Sequence, residues 1–426
     1  MKALLNKFKT LVSDGLLHIL CGNYLTQGLG FIASIVAIRL ITDKAEYASY
    51  LYADNIIAFA NVFSGLGMSA AYVKYSTEQS PAGLDKAYFN FSLKWGGISQ
   101  FIISFAIILG VYAFVDIPFA GAKEYIAVLS LLPLINFIIA LNQSYNRAKI
   151  HNKFYAAVGV VQTSVLLISS VIFIKIFRVD GLLLSRYVSV IVTVVLSCKF
   201  ITKAFKGERA VCLDKPQKKE YTKTSLSLMM SNSLSWLMPI VETFLVNNII
   251  ADEITSANFK TAGLIPAQLA IVSSSISIYF FPKLMQIKDR NILKKEVTKV
   301  GLGTAGIVTV VTVVGMVFTP LIINILYGSQ YADAVPLSYL LWVMRWANSA
   351  IRIIPLNMMI IVNEEKFNAR MATISSLVQV VLDIVFIKAF GVAGAAIGAM
   401  SVYAVSGIIY WTRFYKCCRV KDEDIS

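Results

Sequence analysis

Charge is scarce in this sequence of 426 residues, of which only 15% are Asp, Glu, Lys or Arg. A water-soluble domain carries about 25%, so the chain lacks the polar surface that a soluble body of its size requires. Histidine occurs twice, as His18 and His151, and neither has ligand spacing around it, which excludes a histidine-based metal centre. The five cysteines, Cys21, Cys198, Cys212, Cys417 and Cys418, show neither disulfide nor metal spacing. No Gly-rich loop ends in Lys-Ser or Lys-Thr, which removes ATP binding through a phosphate loop. No cofactor is expected. Long polar segments are missing as well. The longest, 201–223, leaves no room for the catalytic outer loop or soluble domain that a membrane glycosyltransferase or polymerase needs.

What the sequence has instead is apolar residues, 57% of the total, gathered in long runs. About 20 apolar residues cross a bilayer core of about 30 Å as a helix. The expected spans are 15–38, 48–72, 90–114, 124–146, 155–175 and 181–200, then 224–250, 258–282, 300–325, 336–362, 369–388 and 392–412. The expected fold is therefore an all-α integral membrane protein of about twelve transmembrane helices. The 39 basic residues outnumber the 24 acidic ones and give a net charge of +15. They concentrate in alternate short segments, with both termini on the same side, as the positive-inside rule requires of cytoplasmic loops. The basic balance thus reports orientation and contact with anionic membrane lipids, and no nucleic-acid partner is expected. No removable signal peptide is visible. Met1 to Leu17 reads as a cytoplasmic amphipathic helix leading into the first span.

A duplication divides the chain. Phe173-Ile-Lys-Ile-Phe-Arg-Val-Asp-Gly181 aligns with Phe386-Ile-Lys-Ala-Phe-Gly-Val-Ala-Gly394 at six of nine positions, an offset of 213 residues. A looser match at offset 209 sets Asp43 against Asp252 and Ala48 against Ala257. Two pseudo-repeated six-helix lobes around a central cleft are expected: 1–205, a basic cytoplasmic linker at 206–222, and 223–426. Repeats with an even number of helices keep one orientation, and transporters built this way bind substrate where the repeats meet.

Ionisable groups inside spans are costly and face a cavity or a partner. Arg345 and Arg352 lie seven residues apart, two α-helical turns, and so share a face. Together with Lys260 and Arg39 they form the candidate cationic site, because guanidinium groups grip phosphate oxygens through paired hydrogen bonds. The alternatives are helix-locking pairs with carboxylates and snorkelling to the surface, which also account for Arg186. Glu242 and Asp54 are the candidate ion-coupling carboxylates; Asp383, near the outer end of its span, is a weaker candidate for facing a cavity. Asn23, Gln27, Asn61 and Asn247 are candidate polar lining, although amides in membrane helices more commonly bond neighbouring helices.

Several segments resemble a known family. Ala37-Ile-Arg-Leu-Ile-Thr-Asp-Lys-Ala-Glu-Tyr-Ala-Ser-Tyr50, Gly65-Leu-Gly-Met-Ser-Ala-Ala-Tyr-Val-Lys74, the stretch from Asn258 to Tyr279-Phe-Phe-Pro-Lys283 and Gly391-Val-Ala-Gly-Ala-Ala-Ile-Gly398 are similar to polysaccharide transporters of the multidrug/oligosaccharidyl-lipid/polysaccharide exporter superfamily. The nearest likeness is to O-antigen (Wzx-type) flippases of the bacterial inner membrane. Ala48 departs from the glycine that usually follows the tyrosine there. The resemblance implies transport, not catalysis, of an undecaprenyl-diphosphate-linked oligosaccharide from the cytoplasmic to the periplasmic leaflet by alternating access. It also implies a proton or sodium gradient as the driving force and other polysaccharide-assembly membrane proteins as potential partners. A small-molecule or drug antiporter of the same superfamily is the alternative; its usual cationic substrates suit the Arg pair poorly.

Overall fold

The computed structural model describes residues 16–76 and 82–419. The expected amphipathic segment Met1 to Leu17 thus lies almost entirely outside the described residues. The helices are α1 (Leu16–Leu40), α2 (Lys44–Val62), α3 (Met68–Tyr75), α4 (Ala82–Phe91), α5 (Gly97–Phe114), α6 (Ala122–Leu129), α7 (Leu132–Ala148) and α8 (Asn152–Ala204). They continue as α9 (Lys215–Ile250), α10 (Glu253–Ala267), α11 (Leu269–Met285), α12 (Arg290–Leu326), α13 (Val335–Trp346), α14 (Ile353–Met358), α15 (Glu365–Phe390) and α16 (Ala393–Arg419). No strand occurs among the described residues. The helices fall into two compact units, Met1–Ile240 and Val241–Ser426.

Burial is inverted relative to a soluble protein. Phe101, Phe105, Leu109, Val310, Val314 and Val317 are each at least 48% exposed, whereas Gln100, Asn142, Ser185, Thr193 and Thr304 are buried. Apolar side chains facing outward and hydroxyls or amides facing inward are what a hydrocarbon surround selects. Nine helical stretches among the described residues are long and apolar enough to cross a bilayer, against about twelve expected. One of them explains part of the difference. At 1.5 Å per residue α8 would run about 80 Å, and it contains both expected spans 155–175 and 181–200. Its helical path breaks at Arg178 (φ 53°, ψ −126°).

The two halves use the same devices at the positions the duplication relates. Asp43 caps α2 by accepting from the Ala45 and Glu46 amides at 2.9 and 3.2 Å. Asp252, its counterpart at offset 209, caps α10 by accepting from the Thr255 amide at 2.7 Å. Thr255 holds the Asp252 carboxyl below the usual carboxylate range through its side chain and its amide. At offset 213, Arg178 and Gly391 (φ 63°, ψ −150°) share a backbone conformation that normally belongs to glycine in a tight turn. Three residues later, Gly181 and Gly394 lie against the Phe173 and Phe386 carbonyls so closely that a Cβ at either would collide with the oxygen.

A second break, at Gly65-Leu66-Gly67, separates α2 from α3 with three successive positive φ values of 52°, 52° and 76°. In hydrocarbon each freed backbone group needs a protein partner. Gln100 supplies two, accepting from the Gly65 amide at 2.8 Å and donating to the Ala60 carbonyl at 3.0 Å. From α9, the Ser225 and Tyr221 hydroxyls donate to the Leu66 and Met68 carbonyls at 2.9 and 3.0 Å. Tyr221 sits in the aromatic core of the first unit with Tyr72, Phe89, Tyr145 and Phe205. The core of the second unit gathers Leu293, Ile354, Met358, Tyr410 and Phe414.

A non-glycine residue in the Arg178 conformation costs of order 1–3 kcal/mol, and forcing a methyl group into a packed contact costs about as much. Arg178→Gly should therefore raise the melting temperature in detergent, and Gly394→Ala should lower it. A Gly394→Ala protein that melts with the wild type would contradict the carbonyl contact.

Candidate functional site

The second unit collects charge in its interior. Glu242, on α9, is 4% exposed and lies within electrostatic reach of Arg345 on α13 and Lys260 on α10. Asp383 on α15 is 1% exposed and interacts with Glu242. Tyr403 on α16 lies within reach of Arg345, Glu242, Arg352 and Asp383 together, and thus marks the middle of the group. The Arg352 guanidinium is centred 5.4 Å over the Tyr403 ring, and its Nη1 donates to Asn348 at 3.3 Å. Asn247, one turn and a residue beyond Glu242 on α9, is also buried.

These charges approach one another without pairing. Among the described residues none of Glu242, Lys260, Arg345, Arg352 and Asp383 forms a direct ion pair. The Nε–H groups of Arg345 and Arg352 are buried and have no hydrogen-bond partner. Gln379, one helical turn before Asp383 on α15, lies within hydrogen-bonding reach of its carboxylate. A buried guanidinium that leaves a donor unused is expensive, and the usual compensation is an anion with oxygens to spare. Gly398 lets Asp383 sit this close to α16, where a Cβ would lie 2.6 Å from its Oδ1.

The seven-residue spacing of the arginines does not act as two α-helical turns. A wider π turn, Ala347–Arg352, lies between α13 and α14. Such turns are rare and frequent at functional sites. The extra residue per turn shifts Arg352 around the helix relative to Arg345, and the two converge through Tyr403 instead of sharing one straight face.

The other sequence candidates lie in the first unit. Asp54 on α2 forms an ion pair of 2.7 Å with Arg186 on α8, which also donates to the Tyr50 hydroxyl at 2.8 Å. Asp54 and Arg186 thus tie two helices together. Arg39 is exposed in the last turn of α1, and Asn23 and Gln27 are exposed along the same helix. Asn61 on α2 accepts from Asn136 at 3.5 Å and lines a cavity of about 400 Å³ beside the Gly65-Leu66-Gly67 break. Sequence reasoning singled out four members of the second-unit group, Glu242, Lys260, Arg345 and Arg352, and gave Asp383 less weight; the structure places all five in the same unit. Sequence reasoning missed Tyr403 and Gln379. Polar residues recurring one or two turns apart, Gln379 with Asp383 and Tyr403 with Ser406, were the available signal.

Comparison with known proteins adds a family and a fold. The sequence profile of the polysaccharide biosynthesis protein family matches residues 36–336. A Shigella flexneri protein named "Putative O-antigen transporter" is 23% identical over 198 residues, 46% of this chain, and the match spans about half the length of that relative (47%). Among solved structures, an inward-facing multidrug resistance MATE family transporter of the MOP superfamily superposes with a TM-score of 0.71 at 16% identity, covering 93% of this chain and 96% of the other. The lipid II flippase MurJ in an inward closed conformation gives 0.71 at 18% identity, covering 93% and 87%. A MOP-superfamily transporter from Pyrococcus furiosus gives 0.62 at 15% identity, covering 95% of each chain. The fold is that of these membrane transporters.

The Asp54–Arg186 pair is half-buried, so Asp54→Asn should cost of order 1 kcal/mol, read as a lower melting temperature. Exchanging the charges, Asp54→Arg with Arg186→Asp, should recover most of it. If the exchange recovers nothing, the carboxylate does more than tie the helices.

Proposed function

Because the chain belongs to the polysaccharide biosynthesis protein family, we propose that it moves an undecaprenyl-diphosphate-linked oligosaccharide, an O-antigen or related surface-polysaccharide unit, across the bacterial inner membrane. The direction is from the cytoplasmic to the periplasmic leaflet, and the mechanism is alternating access. One observation carries the reading: the paired Nε–H groups of Arg345 and Arg352 lie buried and unused. A diphosphate offers several charged oxygens to two guanidiniums, and charge-assisted bonds of this kind are the strong ones. Lys260 adds positive charge within electrostatic reach of Glu242. Arg39 is a further candidate contact for the diphosphate, and Asn23, Gln27, Asn61 and Asn247 are candidate polar contacts along the substrate's path.

Transport against a concentration difference needs coupling to an inward proton or sodium gradient. Glu242 is the carboxylate best suited to that role, since it shares its surroundings with the two cations that hold the substrate. When Glu242 is neutralised by a proton or a sodium ion, Arg345 and Lys260 lose a competing anion and are free to engage the diphosphate. When the cation leaves, the carboxylate competes again and favours release. Asp54, tied to Arg186, is the second coupling candidate.

Complementation of a bacterium that lacks its own flippase, supplied with the sugar-assembly genes native to this chain, tests the reading. Wild type should restore a surface-polysaccharide ladder. Arg345→Ala and Arg352→Ala should each reduce it at least tenfold at equal membrane abundance, with Arg345→Lys partly active, and Glu242→Gln should abolish it. Full laddering in both Ala variants would remove the arginines from substrate binding.

A further inference from the structure

The first unit holds a cavity with a different chemistry from the arginine cluster. It lies beside the break in α2–α3 and is about 400 Å³ in volume, within the usual range of small-molecule sites. It is lined by Asn61, Ser64 and Ser69 from the broken helix and by Met229, Ser233 and Trp236 from α9. None of these residues is charged. The Trp236 indole is 73% exposed, and among the described residues its N–H makes no hydrogen bond. Among the described residues the Ser64 and Ser69 hydroxyls are likewise unpaired, and Asn61 uses only its carbonyl oxygen, toward Asn136.

Membrane helices normally spend such groups on their neighbours. The same break does so elsewhere: the Ser225 and Tyr221 hydroxyls are both bonded to its backbone. Uncharged donors and acceptors beside an open aromatic face suit a ligand with an apolar face and a hydroxyl rim. A pyranose ring has both. Its C–H face covers an indole, and its hydroxyls each donate and accept, as do those of Ser64 and Ser69.

We propose that this cavity is a sugar subsite, binding one or two neutral pyranose rings of the transported oligosaccharide with Trp236 as the stacking platform and Asn61, Ser64 and Ser69 as hydroxyl partners. The assignment rests on the proposed function and extends it from the diphosphate to the sugar. The kink at Gly65-Leu66-Gly67 opens the site, because it turns Ser69 and the start of α3 away from a straight helical path.

The test uses the full-length protein in nanodiscs and two soluble probes: a short prenyl diphosphate, and the same prenyl diphosphate carrying the native precursor oligosaccharide. Wild type should bind the sugar-bearing probe at least tenfold more tightly than the bare one. Trp236→Ala should bring that ratio to about one while leaving affinity for the bare probe unchanged. Trp236→Phe should keep most of the ratio, and the double variant Asn61→Ala with Ser69→Ala should lower it severalfold without disturbing the exposed indole. A wild-type ratio preserved in both the Trp236→Ala and double variants would overturn the subsite. So would an equal loss of affinity for both probes, which would assign the cavity to the prenyl chain or a membrane lipid. Failure of wild type to bind either probe would instead overturn the proposed function itself.

Discussion

Hydrocarbon offers no hydrogen bonds, and this constraint organises the whole chain. Where a helix breaks, the protein has to provide what water would provide in a soluble fold. At Gly65-Leu66-Gly67 it provides Gln100, Ser225 and Tyr221, each aimed at a backbone group that the break releases. At Arg178 and Gly391 the chain turns sharply with glycines packed against carbonyls. Such economy gives weight to the places where it lapses. Among the described residues the Nε–H groups of Arg345 and Arg352 are buried without partners, and the Ser64 and Ser69 hydroxyls at the cavity beside Asn61 are unpaired. The proposed function and the proposed sugar subsite each give one of these lapses a role.

The charges of the proposed site in the second unit also differ from a simple ion pair. Asp54 and Arg186 are joined at 2.7 Å and neutralise each other. Glu242, Lys260 and Arg345 influence one another without contact, so each stays available to a ligand or an ion. A direct pair would have to be broken for every substrate bound, at a cost of several kcal/mol when buried. Proximity without contact lets occupancy of one group bias the others.

Much of the fold was legible in the sequence because hydrocarbon imposes simple rules. Runs of apolar residues pointed to membrane spans, and the duplication aligned residues that the structure uses alike, Asp43 and Asp252 as caps and Arg178 and Gly391 as turns. The expected count of about twelve spans and the nine long apolar helices among the described residues differ partly because α8 carries two expected spans in one long helix broken at Arg178. The sequence offered little warning there, since arginine rarely takes a positive φ; its glycine counterpart, Gly391, was the clue. The π turn at Ala347–Arg352 was invisible to a periodicity argument that assumes α geometry. Pairing of Asp54 with Arg186, and the convergence of four charged residues on Tyr403, depend on contacts between distant segments that no local pattern encodes.

The central claim is that the chain carries a lipid-linked oligosaccharide through arginines held ready for its diphosphate. Purified protein in proteoliposomes, loaded with undecaprenyl-diphosphate-linked oligosaccharide and probed with a lectin that cannot enter, tests it directly. The account predicts gradient-dependent appearance of lectin-accessible sugar with wild type and its loss in Arg345→Ala and Arg352→Ala. Gradient-driven export of a cationic dye by wild type, with no movement of the lipid-linked sugar, would contradict it.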